Sequence, residues 1–137
     1  ASLVGSEMCI RDRFSTAQEL GKIYQMILNE GELDGKRYLR PETCRIFTTE
    51  KSAVSHRGLG YDKPNLKDPK ANACASSAPA SVYGHTGFTG TCAWVDPTNG
   101  LVYVFLCNRI YPNVWNTKLM KMDIRTRIQE VMYQAVK

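Results

Sequence analysis

Tyr83-Gly84-His85-Thr86-Gly87-Phe88-Thr89-Gly90-Thr91 is the stretch whose reading decides the fold. Aromatic and β-branched residues predict a strand here, and the glycines spaced through it predict a place where another group must approach the backbone closely. It is not a phosphate-binding loop, because no Gly-Lys-Ser/Thr follows. On composition alone, a glycine-rich strand carrying a hydrogen-bonded histidine reads as well as a ligand site does. Working outward, Ser81 to Phe88, Thr91 to Asp96 and Leu101 to Asn108 read as three strands. Pro97-Thr98-Asn99-Gly100 between the last two is a hairpin connection, so the three form one antiparallel meander. Leu101 to Cys107 shows no polar alternation, which implies a strand covered on both faces.

Helices must supply that cover. Ser15 with Gln18, or Thr16 with Glu19, makes a capping box ahead of Leu20, Ile23, Tyr24, Ile27 and Leu28, whose spacing is helical. Gly31 stops this helix, because glycine enters the left-handed region without a Cβ clash. Asp34-Gly35 marks a turn, and Pro41 opens a second helix to about Phe47, with Glu42 favoured by the dipole. Residues 49 to 81 hold Gly58, Gly60, Pro64, Pro69 and Pro79 and read as surface connection around one short strand near Gly60-Tyr61. At the end of the chain, Ile124, Ile128, Val131, Met132 and Ala135 place one apolar stripe against the sheet on a helix from Met122 to Ala135. The fold class is α+β, an antiparallel sheet flanked by helices.

The bulk properties bound the function. The chain has 137 residues, 43% of them hydrophobic, enough for one domain with a real core. Its formal charge of +5 is dispersed, without a basic stripe interleaved with aromatics, so no nucleic-acid partner is expected. No apolar run reaches the ~20 residues of a membrane span, and the N-terminus lacks the order of a secretory signal. Cys9, Cys44, Cys74, Cys92 and Cys107 show no C-x-x-C spacing and no histidine at ligand distance, so neither a metal nor another cofactor is expected. Cys92 and Cys107 read as small buried hydrophobes with free thiols. Ala1 to Arg13 is set apart, because Glu7 to Arg13 matches the translation of a transposase-end sequencing adapter; natural sequence is expected from about Phe14.

Several pieces in order carry a family likeness. Phe14-Ser15-Thr16-Ala17, Leu39-x-Pro41-Glu42-Thr43, Gly58-Leu59-Gly60-Tyr61, the stretch from Gly84 to Thr91, Asp96-Pro97 and Asn108-Arg109 together resemble the C-terminal half of the serine beta-lactamase, penicillin-binding-protein and esterase family. The chain is similar in particular to the beta-lactamase-like module that some Bacteroidetes proteins join to a family 3 glycoside hydrolase. The resemblance implies that residues 14–137 are an incomplete beta-lactamase-like domain, the C-terminal part of a beta-lactamase/DD-peptidase-like fold. In that family a serine in Ser-x-x-Lys attacks, Tyr-x-Asn lies opposite, and Lys-Thr-Gly or His-Thr-Gly borders the cleft. His85 would then be a cation or donor near the nucleophile's proton relay, Thr86 would bond a substrate carboxylate or carbonyl, and Gly87 would admit the substrate. The backbone N–H of Phe88 would be one arm of the oxyanion hole.

The departures matter as much. No Ser-x-x-Lys occurs, and Tyr111-Pro112-Asn113, the single Tyr-x-Asn in letters, falls after the third motif instead of before it. The resemblance therefore implies an acyl-transfer hydrolase of amide or ester bonds, with a peptidoglycan-derived or small-molecule substrate, that is inactive without the missing N-terminal half of its domain. Exposed apolar surface is expected where that half docks. It also implies a periplasmic or cell-envelope location. The alternative is a non-catalytic module of the same fold that binds a cell-wall peptide or a partner domain.

Overall fold

The computed structural model describes residues 15–49, 52–66, 68 and 72–136. The segment Ala1 to Arg13 lies outside them. Helix α1 (Ala17–Leu28) starts at Thr16, whose hydroxyl accepts from the Glu19 amide at 3.2 Å. Of the two capping boxes in the sequence, the Thr16–Glu19 register is the one used. Gly31, at φ +95°, donates to Met26 O at 2.8 Å and ends the helix. A Cβ there would fall 2.3 Å from Leu39 O, so the stop is steric as well as conformational.

The Asp34-Gly35 turn closes a small hairpin of β1 (Glu32–Leu33) and β2 (Lys36–Arg37). Both turn residues have positive φ, 51° and 73°, which matches the twist of the two strands. Helix α2 (Pro41–Thr48) follows, with proline in its first turn as its sequence predicts.

The main sheet has three antiparallel strands in the order β3 (Tyr83–Thr86), β4 (Cys92–Asp96), β5 (Leu101–Phe105). The meander is the predicted one, with shorter strands. Pairing ends where the Gly87-to-Gly90 turn begins, at Gly90 N to Gly87 O, 2.9 Å. Central strand β4 is buried along its whole length. Tyr83, Ala93 and Val95 join Tyr24 and Ile27 of α1 on one face, while Val82, Cys92, Trp94 and Tyr103 pack together on the other. The strand expected near Gly60-Tyr61 is reduced to two isolated bridges, Arg57 with Asp62 and Asp62 with Gly84, because only single residues find partners.

The C-terminal helix departs from its sequence pattern. The helix expected from Met122 to Ala135 is α4 (Ile124–Val136), set off by left-handed Asp123 (φ 48°) from a short α3 (Lys118–Lys121) before it. The residues α4 buries are Gln129 and Tyr133; Ile128, Val131, Met132 and Ala135, expected against the sheet, are exposed. Hydrogen bonding explains the choice of face. Gln129 Oε1 accepts from the Ala75 amide at 2.8 Å, and the Tyr133 hydroxyl donates to buried Asp96 at 3.0 Å. An apolar stripe turned inward would leave both of those buried groups without these partners, at about 1–3 kcal/mol each. The other face of α4 leaves Ile128, Val131 and Met132 exposed.

The core is rich in protonated tyrosines and thiols, and this sets its response to base. Burial, the largest cause in each case, pushes Cys74 and Cys92 up from 9.0 to about 11 and raises Tyr24, Tyr83, Tyr103 and Tyr133 above their ordinary 10.0. The native state keeps protons that the unfolded chain releases, so stability is fully present below the unfolded values and falls as pH rises. The urea midpoint is expected to stay level up to about pH 9 and to drop steadily between about pH 9 and 11. A midpoint unchanged at pH 11 would contradict this packing.

Candidate functional site

Strand β3 carries the site. Its inner edge pairs with β4, and among the described residues its outer edge is bridged by one, Asp62. The Asp62 amide donates to Gly84 O at 2.7 Å, and the Gly84 amide donates back at 3.1 Å. Gly84 is required for packing: a Cβ would lie 2.1 Å from Ala93 O and 2.6 Å from the Trp94 ring. The turn holding Asp62 is packed through tilted aromatic rings, with Tyr61 between Tyr24 and Tyr83 at centroid distances of 5.9 and 5.3 Å.

His85 is exposed and bonded at both ring nitrogens. Nδ1 lies 2.7 Å from Thr86 O, and Nε2 lies 3.0 Å from Arg57 Nη2. Arg57 in turn donates from Nε to Asp62 Oδ1 at 2.5 Å, and the Asp62 side chain is only 14% exposed. The sequence singled out His85; it gave no sign of Arg57 and Asp62 as its companions. Both charged residues flank Gly58-Leu59-Gly60-Tyr61, and only a bridge register brings them to His85.

Thr86 pairs with Cys92 and His85 with Ala93, so the two side chains leave β3 on opposite faces. They can meet one ligand only at the end of the strand, where the turn begins. Phe88 occupies the first corner of that turn. Arg109, whose motif the sequence showed without a role, holds this corner: its Nε donates to Phe88 O at 3.1 Å and its guanidinium lies 5.1 Å from the Phe88 ring. Its Nη1 also donates to Val114 O and Asn116 O at 3.3 and 3.4 Å, tying the loop after β5 to the same turn. Asn113 of the Tyr-Pro-Asn triplet sits in that loop, with Oδ1 accepting from the Trp115 amide. Among the described residues no group of three or more His, Cys, Asp or Glu could hold a metal ion.

Four of the five cysteines are free: Cys44, Cys74 and Cys92 are buried, and Cys107 is half-buried beyond the end of β5. The raised values at Cys74 and Cys92 make them poor nucleophiles. An open groove of about 460 Å³ lined by Ile27, Cys44, Thr48, Lys63, Ser81 and Pro97 lies at the other end of β3, away from the turn. The chemistry the turn end can do is to position and polarise: backbone N–H groups, a threonine hydroxyl and a guanidinium, with no activated nucleophile beside them among the described residues.

The family model described as Beta-lactamase matches residues 11–119, and the chain belongs to that family. Among curated proteins it is similar to a protein of Escherichia coli K12 named "Putative D-alanyl-D-alanine carboxypeptidase", 26% identical over 133 residues, covering 90% of this chain and 30% of the relative. A protein of the same name from Salmonella gallinarum is 30% identical over 106 residues, covering 77% and 24%. The chain thus spans less than a third of the length of these relatives. A crystal structure titled as a putative beta-lactamase from Bacteroides dorei matches at 15% identity and a TM-score of 0.48, covering 84% of this chain and 40% of that one.

The turn gives a clean test of why Gly87 is glycine. A Cβ there would stand 2.3 Å from Thr91 Oγ1 but 3.6 Å from Thr91 Cβ. Gly87→Ala is expected to destabilise by about 1–3 kcal/mol in urea unfolding, and adding Thr91→Ala, which removes the clashing atom, should recover most of the loss. No recovery in the double variant would mean that the clash is not the reason.

Proposed function

We propose that this chain forms the third-motif wall of the cleft in a serine hydrolase of the beta-lactamase family, acting by acyl transfer on an amide or ester. The observation that supports it best is the coincidence of His85-Thr86-Gly87 with the edge strand and turn of a chain that belongs to this family. On this reading the Phe88 N–H, placed at the corner that Arg109 braces, stabilises the charge developing on a tetrahedral intermediate. Thr86 bonds the substrate, Gly87 keeps the turn tight, and His85 with its neighbours gives the wall its polarity. The nucleophile and its lysine come from residues outside these 137, since no Ser-x-x-Lys occurs among them. The names of the relatives favour a peptide of peptidoglycan type as substrate, which would place the whole protein at the cell envelope.

The lack of Ser-x-x-Lys equally suits a module that only binds such peptides, and serine labelling separates the two. The 137-residue chain should take up no fluorophosphonate by intact mass and should leave nitrocefin unhydrolysed. The longer protein should take up one label. There, His85→Ala is expected to lower kcat/KM by on the order of ten- to a thousandfold, with little change in the urea midpoint because the ring is exposed. A longer protein that resists labelling would favour the binding module.

A further inference from the structure

His85 is held by two partners whose chemistry allows one arrangement of its protons. A carbonyl oxygen only accepts, so the 2.7 Å contact with Thr86 O requires a proton on Nδ1. A guanidinium only donates, so the 3.0 Å contact with Arg57 Nη2 requires a lone pair on Nε2. Together they select the neutral Nδ1–H tautomer, the opposite of the Nε2–H form that free histidine favours in water. The selection is rigidly backed. Arg57 is fixed through Nε by Asp62, and Asp62 is fixed by two backbone hydrogen bonds to Gly84, one residue before His85.

We propose that Arg57 is a positioning residue: it locks His85 as the neutral Nδ1–H tautomer and itself supplies the positive charge at this end of β3. Both imidazole nitrogens are engaged, so the charge at this end of β3 is carried by Arg57 while the pair is in place. The Arg57 side chain is 55% exposed, and only one of its contacts, Asp62, is to a carboxylate among the described residues. Among the described residues its guanidinium makes no hydrogen bond beyond those to Asp62 and His85. The assignment of the tautomer stands on the geometry alone; its consequence for turnover rests on the cleft-wall reading.

Long-range 1H–15N correlation spectra of the 137-residue chain at about pH 8, above the ordinary histidine range, read the tautomer directly. His85→Gln assigns the two histidines. The wild type should show Nδ1 protonated and Nε2 bare. Arg57→Met, which keeps bulk and removes every donor, should return most of His85 to the Nε2–H form, whereas Arg57→Lys, which keeps a donor, should hold the Nδ1–H form. A wild-type Nε2–H signal, or a tautomer unmoved in Arg57→Met, overturns the proposal. Should Arg57→Met fail to fold, Asp62→Asn offers a second route: releasing the guanidinium should mix the two tautomers, and an unmixed spectrum counts against the lock. In the longer hydrolase Arg57→Met should lower kcat by on the order of tenfold or more. A shifted tautomer with unchanged turnover would leave the lock standing and sink the cleft-wall reading.

Discussion

Everything near the motif hangs on the close approach of Gly84 to β4. A side chain at position 84 would collide with the Ala93 carbonyl and with the ring of Trp94, one of the largest fully buried side chains of the chain. The same glycine uses its N–H and C=O to hold Asp62 on the outer edge. It is therefore a joint: the core sets the position of β3, β3 sets Asp62, Asp62 sets Arg57, and Arg57 sets the ring of His85. The links from β3 onward are hydrogen bonds of 2.5 to 3.1 Å, so an exposed histidine takes its orientation from a strand packed against a buried tryptophan.

The two faces of the sheet contribute differently. The α1 face is apolar and aromatic, and its packing also fixes the turn before Asp62 through the Tyr24, Tyr61 and Tyr83 rings. The α4 face is joined by polar atoms that are satisfied inside the protein. Tyr133 and Thr98 share the buried carboxylate of Asp96, Tyr103 donates to Arg125 O, and Gln129 caps the Ala75 amide. Such bonds add modestly to net stability but make the wrong register costly, because a slipped helix would strand several buried polar groups at once. The turn end is braced from the same side, where the Arg125 guanidinium lies 3.4 Å from Gly90 O and from Thr91 O.

These differences explain what the sequence made legible. Period and turn chemistry are local, so the meander, the Thr16 cap, the Gly31 stop and the Asp34-Gly35 reversal could all be read from residues a few positions apart. The face that α4 turns inward could not, because its apolar pattern pointed one way and the decision came from Ala75 and Asp96, far off in the chain. At the site, His85, Thr86, Gly87 and Phe88 were visible as a motif, since their residue types are themselves the signal. Arg57 and Asp62 were invisible for the opposite reason. Charged residues beside Gly58 and Gly60 look like ordinary loop polarity, and only the bridge of Asp62 to Gly84 makes them part of the site. Gly87 was legible as a glycine, but the Thr91 hydroxyl lying where its Cβ would be was not.

The companions of His85 also explain why this position suits histidine. A lysine in its place would put an ammonium near the Arg57 guanidinium, now 3.0 Å from Nε2, and two like charges at this exposed site repel by about 1 kcal/mol, with Asp62 the one carboxylate bonded to Arg57 among the described residues. A neutral imidazole avoids the repulsion and adds an attraction, because its lone pair is one of the few uncharged acceptors that can face a guanidinium end-on. Read from the motif alone, histidine looks like a weaker stand-in for a lysine cation. With Arg57 in view the roles divide: the charge stays on a guanidinium that does not deprotonate in proteins, and the ring links it to the Thr86 carbonyl. The positive end of this wall is then set by the loop before β3, and changing residue 85 alone would leave most of that charge in place.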